Sequence, residues 1–376
     1  VAACTLAGVD FGFSLLWAML LSIIATYVLQ EMSARLGIIT QMGLADVIKQ
    51  ELGNPWIRNT VLGLIFSAII IGNASYEAGN IGGATLGMEA LFGDALSQWY
   101  PIVIGTLAFV LLYFGNYKSL ESVFIFLVLI MSLSFVLTAF LTRPDLFTML
   151  KGLMVPTIPK GGILTIMALV GTTIVPYNLF LHAALVSEKW KSKTDLKLAR
   201  RDTLVSIMLG GLVSICIMIS AAAIKTSEVK NVMDLAKALE PLYGSAALYF
   251  MGVGLFAAGI TSAITAPLAA AYVANSCFGW KADFKDKKFR AIWILILVLG
   301  VFFLSFGIKP IEIIKFAQVA NGLLLPIIAI FLLWVVNRAG VMGAHKNTGL
   351  QNRIGVLIIL LAVVLGAKSI VTVFGG

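Results

Sequence analysis

Of the 376 residues, 60 % are hydrophobic and 12 % are Asp, Glu, Lys or Arg, against roughly 45 to 50 % and about 25 % in a soluble domain. The charges gather between long apolar blocks of about 20 residues or more, and no block alternates like an outer-membrane strand, so one large soluble core and a β-barrel are both excluded in favour of a polytopic helical membrane protein. The net charge of +9 is not a nucleic-acid surface, because no basic and aromatic residues interleave; the charges sit at helix ends and orient the chain in the bilayer.

In chain order, the apolar stretch ahead of Asp10 is too short to span and reads as a fragment of a first helix. Spans are then expected near 13–35, 58–88, 99–115, 121–142, 162–187, 204–224, 246–276, 291–308, 310–337 and 354–373. If the first helix starts inside, most Lys and Arg fall on the cytoplasmic side, including Arg35, the cluster from Lys189 to Arg201 and that from Lys281 to Arg290. That orientation predicts a multi-pass protein of a cell (inner) membrane with a cytoplasmic N-terminus. No repeat period and no Pro-rich or Ser-rich linker divides the chain, so residues 1–376 read as a single transmembrane domain. The segment 226–243 carries Val232, Leu235, Ala236 and Leu239 at helical spacing and reads as a short external helix lying on the bundle. Cys4, Cys216 and Cys277 have no metal-ligand spacing and read as core residues.

One span interrupts itself. In GTTIVPYNLFLHAALV, residues 171–186, an otherwise apolar run holds Thr172, Thr173, Pro176, Tyr177, Asn178 and His182. Pro176 has no N–H for the carbonyl four residues back, so the oxygen of Thr172 is left to another partner. Two readings are open at this point: a cation, as in transporters whose interrupted helices bind ions through unwound carbonyls, or a packing kink satisfied by Thr hydroxyls or water.

VPYNLFLHAALV resembles the sixth-helix signature of the NRAMP family of divalent metal transporters, Met-Pro-His-Asn-Leu-x-Leu-His-Ser. AGVDFGFSLLWAMLLS and LQEMSARLGIIT are similar to that family's first turn and second helix, GLFAAGITSAITAPLAA to its eighth, and KFAQVANGLLLPIIAIFLL to its tenth. The resemblance extends over nearly the whole chain. It implies an all-α, leucine-transporter-like 5+5 inverted repeat with an extra C-terminal helix, about eleven helices with the first incomplete here. Helices one and six would be unwound at the centre. It places the Thr172 carbonyl on the metal and brings Gln318 towards it when the site closes; a buried amide bonding a neighbouring helix is the other reading of Gln318. The family's Asp-Pro-Gly-Asn half-site would fall just ahead of Val1.

The departures from the family are informative. Val175 stands where the family has a methionine ligand, and valine offers no lone pair to a soft ion. The remaining donors are oxygens, from Thr172, Thr173, Asn178, Gln318 and Asn321, a set that suits a hard ion retaining some of its water, as Mg²⁺ does. NRAMP-related magnesium transporters form a branch lacking that methionine, and this chain is similar to them in that respect. Tyr177 replaces the histidine that starts the family's proton route, and helix three keeps Glu77 as its only acid between Thr60 and Leu86. Glu77 is either a shifted member of that route or a carboxyl paired with Asn73, Asn80 or a tyrosine hydroxyl. His182, the family's second histidine, is either a proton carrier or a hydrogen-bonded packing residue. The glycines of NIGGATLG lie inside an apolar helix and read as close helix packing, not as a nucleotide loop.

An intramembrane enzyme lacks its residues here: His182 and His345 are the only histidines, and no two aspartates face each other on apolar spans. The expectation is a carrier of divalent metal ions, Mg²⁺ and/or Mn²⁺, working by alternating access in a lipid bilayer with weak or no proton coupling. No cofactor is implied beyond the transported ion, and no nucleic acid. The alternatives are a carrier of a non-metal solute on the same fold and a proton-coupled Mn²⁺/Fe²⁺ transporter.

Overall fold

The computed structural model describes residues 1–115, 118–224, 229, 231–280, 285–306 and 310–374, and among them every regular element is helical. The helices are α1 (Ala2–Phe11), α2 (Leu16–Thr40), α3 (Leu44–Glu51), α4 (Pro55–Phe92), α5 (Tyr100–Phe114), α6 (Lys118–Leu141), α7 (Leu146–Met154), α8 (Ile163–Thr173) and α9 (Pro176–Lys189). They continue with α10 (Leu196–Ala222), α11 (Val232–Ala236), α12 (Glu240–Tyr243), α13 (Ala247–Phe278), α14 (Lys287–Leu304), α15 (Pro310–Val336), α16 (Ala339–Met342) and α17 (Gly349–Phe374). Seven helical segments of the described residues are long and apolar enough to cross a membrane, α8 and α9 counting together as one segment of 27 residues. Leu323–Val336 and Ala339–His345 meet at a bend of 66°, the geometry of a broken span or a re-entrant loop.

Two groups of helices emerge from the packing. In one, α1 lies on α10, and α2 lies on α8, α9 and α10. In the other, α4 runs along α13 and both pack on α5 and α14. α15 bridges the groups by touching α4 and α8, α6 bridges them by touching α13 and α10, and α17 covers α15. The α4/α13 pair packs backbone to backbone: a Cβ on Gly87 would sit 2.5 Å from the Phe256 nitrogen, and one on Gly259 would sit 2.5 Å from the Ala84 nitrogen. Of the glycines in NIGGATLG, Gly87 alone has so close a neighbour. Gly82, and Gly79 just ahead of the motif, have ordinary van der Waals room and Gly83 faces open space, so the expected close packing holds at Gly87 and not at Gly79, Gly82 or Gly83.

The span boundaries shift where polar residues prove to be structural. α2 was expected to end at 35 and runs to Thr40, because Glu31 and Arg35 are buried and satisfy each other at 3.1 Å. Arg35 also reaches the His345 carbonyl (2.5 Å) and Asn347 (2.6 Å), and Arg200 of α10 joins Glu31 at 2.7 Å. α10 starts at Leu196, earlier than expected, behind a capping box of Ser192 and Asp195. α4 starts at Pro55, whose missing N–H is harmless in a first turn, with Asn54 accepting from Trp56 and Ile57. In the external segment α11, a 3-10 turn at Lys237–Leu239 and α12 follow one another from Val232 to Tyr243, and Val232, Leu235, Ala236 and Leu239 are all buried as their spacing predicts. The three cysteines are free and buried.

Candidate cation site at the broken helix

The span from Ile163 to Lys189 breaks at Ile174 and Val175. Thr173 is the last residue of α8, Val175 is extended (φ −83°, ψ 119°), and Pro176 is the first residue of α9. Residues before proline are pushed out of the α region, and two β-branched residues weaken the helix at the same place. Ile174 donates to the Val170 carbonyl at 2.8 Å, and there the ladder stops: no bond runs from Val175 to Gly171, and Pro176 has no N–H for Thr172. The ladder resumes when Asn178 donates to the Val175 carbonyl at 3.0 Å. Carbonyls at the end of α8 and N–H groups at the start of α9 therefore meet within a few residues inside the span, two ends of opposite partial charge.

Helix α2 splints the break. On the α8 side, the Thr26 hydroxyl, whose shorter acceptor is the Ser22 carbonyl of its own helix at 2.7 Å, also lies 3.3 Å from the Thr173 carbonyl, and the Thr173 hydroxyl donates to Leu169 O at 2.8 Å, with the Met19 sulfur 3.6 Å away. On the α9 side, the Ser33 hydroxyl donates to the Leu179 carbonyl, and Gly37 lies so close to Ala183 that a Cβ there would overlap its carbonyl. Thr26 and Ser33 were missed by the sequence reading. Their signal is small or hydroxyl residues Ser22, Thr26, Ser33 and Gly37 on one stripe of an apolar helix.

Of the residues singled out from the sequence, Thr172, Thr173, Val175, Tyr177 and Asn178 lie within and beside the break. Val175 and Tyr177 are buried and Thr172, Thr173 and Asn178 half-buried. α15 packs along α8, while the side chains of Gln318 and Asn321 lie outside the described residues. Tyr76 of α4 meets Tyr177 edge to face at 5.7 Å. Glu77, the next residue, turns about 100° away around the helix. It lies against Gly300 of α14, fully buried, with Asn80 donating to its Oε2 at 3.3 Å and no partner for Oε1 among the described residues. Asn73 is engaged elsewhere, donating to the Ala266 carbonyl at 3.1 Å. His182 lies two turns beyond Pro176, with Nε2 3.1 Å from the Thr203 hydroxyl of α10.

Two cavities flank the break. One of about 410 Å³ adjoins α8 and is lined by Leu6 and Asp10 of α1, Thr165 and Ala168 of α8, and Phe316 and Val319 of α15. The other, about 420 Å³, adjoins α9 and is lined by Leu181, Leu185, Glu121, Thr261, Thr265 and Tyr272 among others. Among the described residues no three His, Cys, Asp or Glu converge; the donors at the break are amide and hydroxyl oxygens, with the Met19 sulfur beside Thr173.

The family model described as "Natural resistance-associated macrophage protein-like" (Nramp) matches residues 1–372. A divalent metal cation transporter, MntH, of Bacillus subtilis is 28 % identical over 382 residues, covering 98 % of this chain and 87 % of the relative. MntH of Erwinia tasmaniensis is 26 % identical, covering 97 % and 88 %. Among solved structures, the Eremococcus coleocola manganese transporter superposes with a TM-score of 0.79 at 20 % identity, covering 99 % of this chain and 82 % of that one. MhsT, solved in complex with L-phenylalanine, superposes with 0.57 at 16 % identity, covering 97 % of each chain. These likenesses identify the fold as the leucine-transporter-like arrangement expected from the sequence.

Proposed function

The chain belongs to the Nramp family and is an integral, multi-pass transporter of divalent metal cations, not an enzyme; from that premise we propose that it carries Mg²⁺ and/or Mn²⁺ by alternating access through the break at Ile174 and Val175, with little or no accompanying proton transport. The observation that carries the reading is the interrupted ladder, which frees the Thr172 carbonyl beside a valine that has no lone pair to offer. Thr173 and Asn178 add oxygens from the same stretch, and Gln318 and Asn321 are the proposed contributions of α15. A set made mostly of oxygens, with the Met19 sulfur 3.6 Å from the Thr173 hydroxyl, favours hard cations over those that prefer thioether sulfur. Tyr177 in place of a histidine and a Glu77 directed at α14 support flux that follows the ion's own gradient. Tyr177, Glu77 and His182 are the groups through which coupling would run if it occurred.

A second reading, proton-coupled Mn²⁺ transport, draws support from the Glu77 carboxyl, buried with one oxygen unpartnered among the described residues. Purified protein in liposomes, with Mg²⁺ and Mn²⁺ uptake and internal pH followed under imposed ion and pH gradients, tests both. Saturable uptake of either ion without acidification is the expected result. Uptake of neither, or metal-dependent acidification, overturns the ion assignment or the uncoupled mode respectively. Localisation in an inner membrane with the N-terminus inside belongs to the same proposal, supported by the bias of Lys and Arg and tested by labelling of introduced cysteines from each side.

A further inference from the structure

The outward stripe of α10 changes character along its length. Lys193, in the turn that leads into the helix, Lys197 and Arg201 follow one another in steps of four and are exposed, and among the described residues none of them has an anionic partner. Their basic neighbours are already engaged: Lys189 with Asp202 at 3.1 Å, Lys191 with the Ser187 carbonyl at 2.9 Å, and Arg200 with Glu31. Beyond Arg201 the same stripe continues as Val205, Leu209 and Leu212, all exposed, on the side of α10 that does not meet α1, α2 or α6. Three unpaired cations thus stand directly above an apolar track, the charge pattern of a phospholipid in reverse.

The level of this transition relative to the bilayer is fixed independently. α9, α13 and α15 all end on the same face as the start of α10, and each end carries a tryptophan under a cation: Lys189 lies 4.9 Å from the Trp190 ring, Lys288 5.2 Å from Trp280, and Arg338 5.6 Å from Trp334. Tryptophan and basic side chains at helix ends mark the headgroup region. Lys193 starts at that level, Lys197 and Arg201 follow it along α10 at intervals of about 6 Å, and the capping box of Ser192 and Asp195 holds the turn that carries Lys193.

We propose that this stripe is a binding site for an anionic phospholipid, its phosphate held by Lys193, Lys197 and Arg201 and an acyl chain lying on Val205, Leu209 and Leu212. The occupant is a lipid and not a free anion, because the basic residues lead straight onto apolar surface that only a molecule with a hydrocarbon tail can cover. The test uses the full chain purified in detergent, with retained lipid read by native mass spectrometry. Phosphatidylglycerol is titrated against phosphatidylcholine with the same chains. Each basic residue near an anionic headgroup contributes enough to predict a preference on the order of tenfold or more for phosphatidylglycerol. The triple variant Lys193→Gln, Lys197→Gln, Arg201→Gln, confined to exposed positions, should bring binding down to the phosphatidylcholine level. Lys346→Gln with Arg353→Gln, exposed on the same face, should leave it unchanged. Equal retention of the two lipids by the unaltered chain overturns the proposal. So does an equal loss in both variants, which would mean a diffuse surface potential, or displacement of the lipid by millimolar inorganic phosphate, which would mean a free-anion site.

Discussion

Among the described residues, three membrane spans contain a proline away from their ends, and only one of them breaks. Pro267 lies inside the uninterrupted α13 and Pro326 inside the uninterrupted α15, whereas the span holding Pro176 loses two residues from its helix. The difference lies in the neighbours. Pro267 follows Ala266 and Pro326 follows Leu325, two of the better helix formers, while Pro176 follows Ile174 and Val175, whose branched side chains resist the α region that proline already disfavours. The surroundings add to this. At α13 a side chain of α4, Asn73, bonds the Ala266 carbonyl and the helix continues past Pro267. At the break α2 bonds the chain on both sides, through Thr26 and Ser33, leaving the residues between without helical partners. A proline permits a break; branched neighbours and a splinting helix make it.

The largest effect expected from this contrast is at the prolines themselves. Pro176→Ala returns an N–H to the Thr172 carbonyl and favours a continuous helix by about 3 kcal/mol, which would reduce the open form, and cation uptake in liposomes, on the order of a hundredfold. Pro267→Ala should leave uptake within about threefold, since its helix is already continuous. Similar losses in the two variants would show that the break is not what the carrier uses. Next in size is a change of preference. Val175→Met puts a sulfur where the extended residue lies, and uptake of Mn²⁺ or Cd²⁺ should rise several-fold relative to Mg²⁺. Unchanged ratios in an active variant would mean that residue 175 does not face the ion.

A smaller effect tests the splint. Thr26→Val keeps the shape but removes the one proton that the Ser22 carbonyl, at 2.7 Å, and the Thr173 carbonyl, at 3.3 Å, share, at a cost of up to about 1 kcal/mol, so uptake should fall by up to roughly fivefold and the thermal midpoint by a few degrees. Thr26→Ser should restore both. A Thr26→Val protein indistinguishable from the unaltered one would leave the break to the local sequence alone.

Most of the span pattern, the proline break and the buried stripe of the external segment were legible because each depends on local sequence: apolar length, a missing N–H, helical spacing; the spans expected near 99–115 and 291–308 are helices, α5 and α14, that do not count among the seven long apolar segments. What was not legible depends on partners far along the chain. Arg35 reads as a helix end until the carbonyl of His345 and the amide of Asn347 are seen to bury it. Helix α7 was not anticipated. It is nine residues long, with exposed Leu146, Phe147, Leu150 and Met154, and is held at its start by the Asp145 cap. Thr26 and Ser33 carry no motif, only a spacing that gains meaning once α9 lies beside it. The side of helix three on which a lone acid falls was equally hidden, since Tyr76 and Glu77 are consecutive and one residue of register decides which of them meets the break.

That register gives the smallest expected effect. Tyr76 touches Tyr177, and Glu77 lies on Gly300 across the α4/α14 interface. Glu77→Gln is nearly isosteric, retains an oxygen for Asn80 and removes only the capacity to titrate. If flux follows the ion's own gradient, the variant should transport within about twofold of the unaltered chain, the scatter expected of one altered hydrogen bond, and neither protein should acidify the liposome interior as metal enters. The measurement is internal pH during metal-driven uptake, with an imposed proton gradient as a second arm. Acidification that requires metal and disappears in Glu77→Gln would place the proton path through α4, where Oε1 is the one carboxyl oxygen of the pair without a partner among the described residues. Acidification that survives the substitution would leave Glu77 a packing residue and direct attention to His182. Its Thr203 partner lies on α10, so a path through that histidine would run inside the group of helices that carries the break, whereas a path through Glu77 would run inside the α4/α13 group.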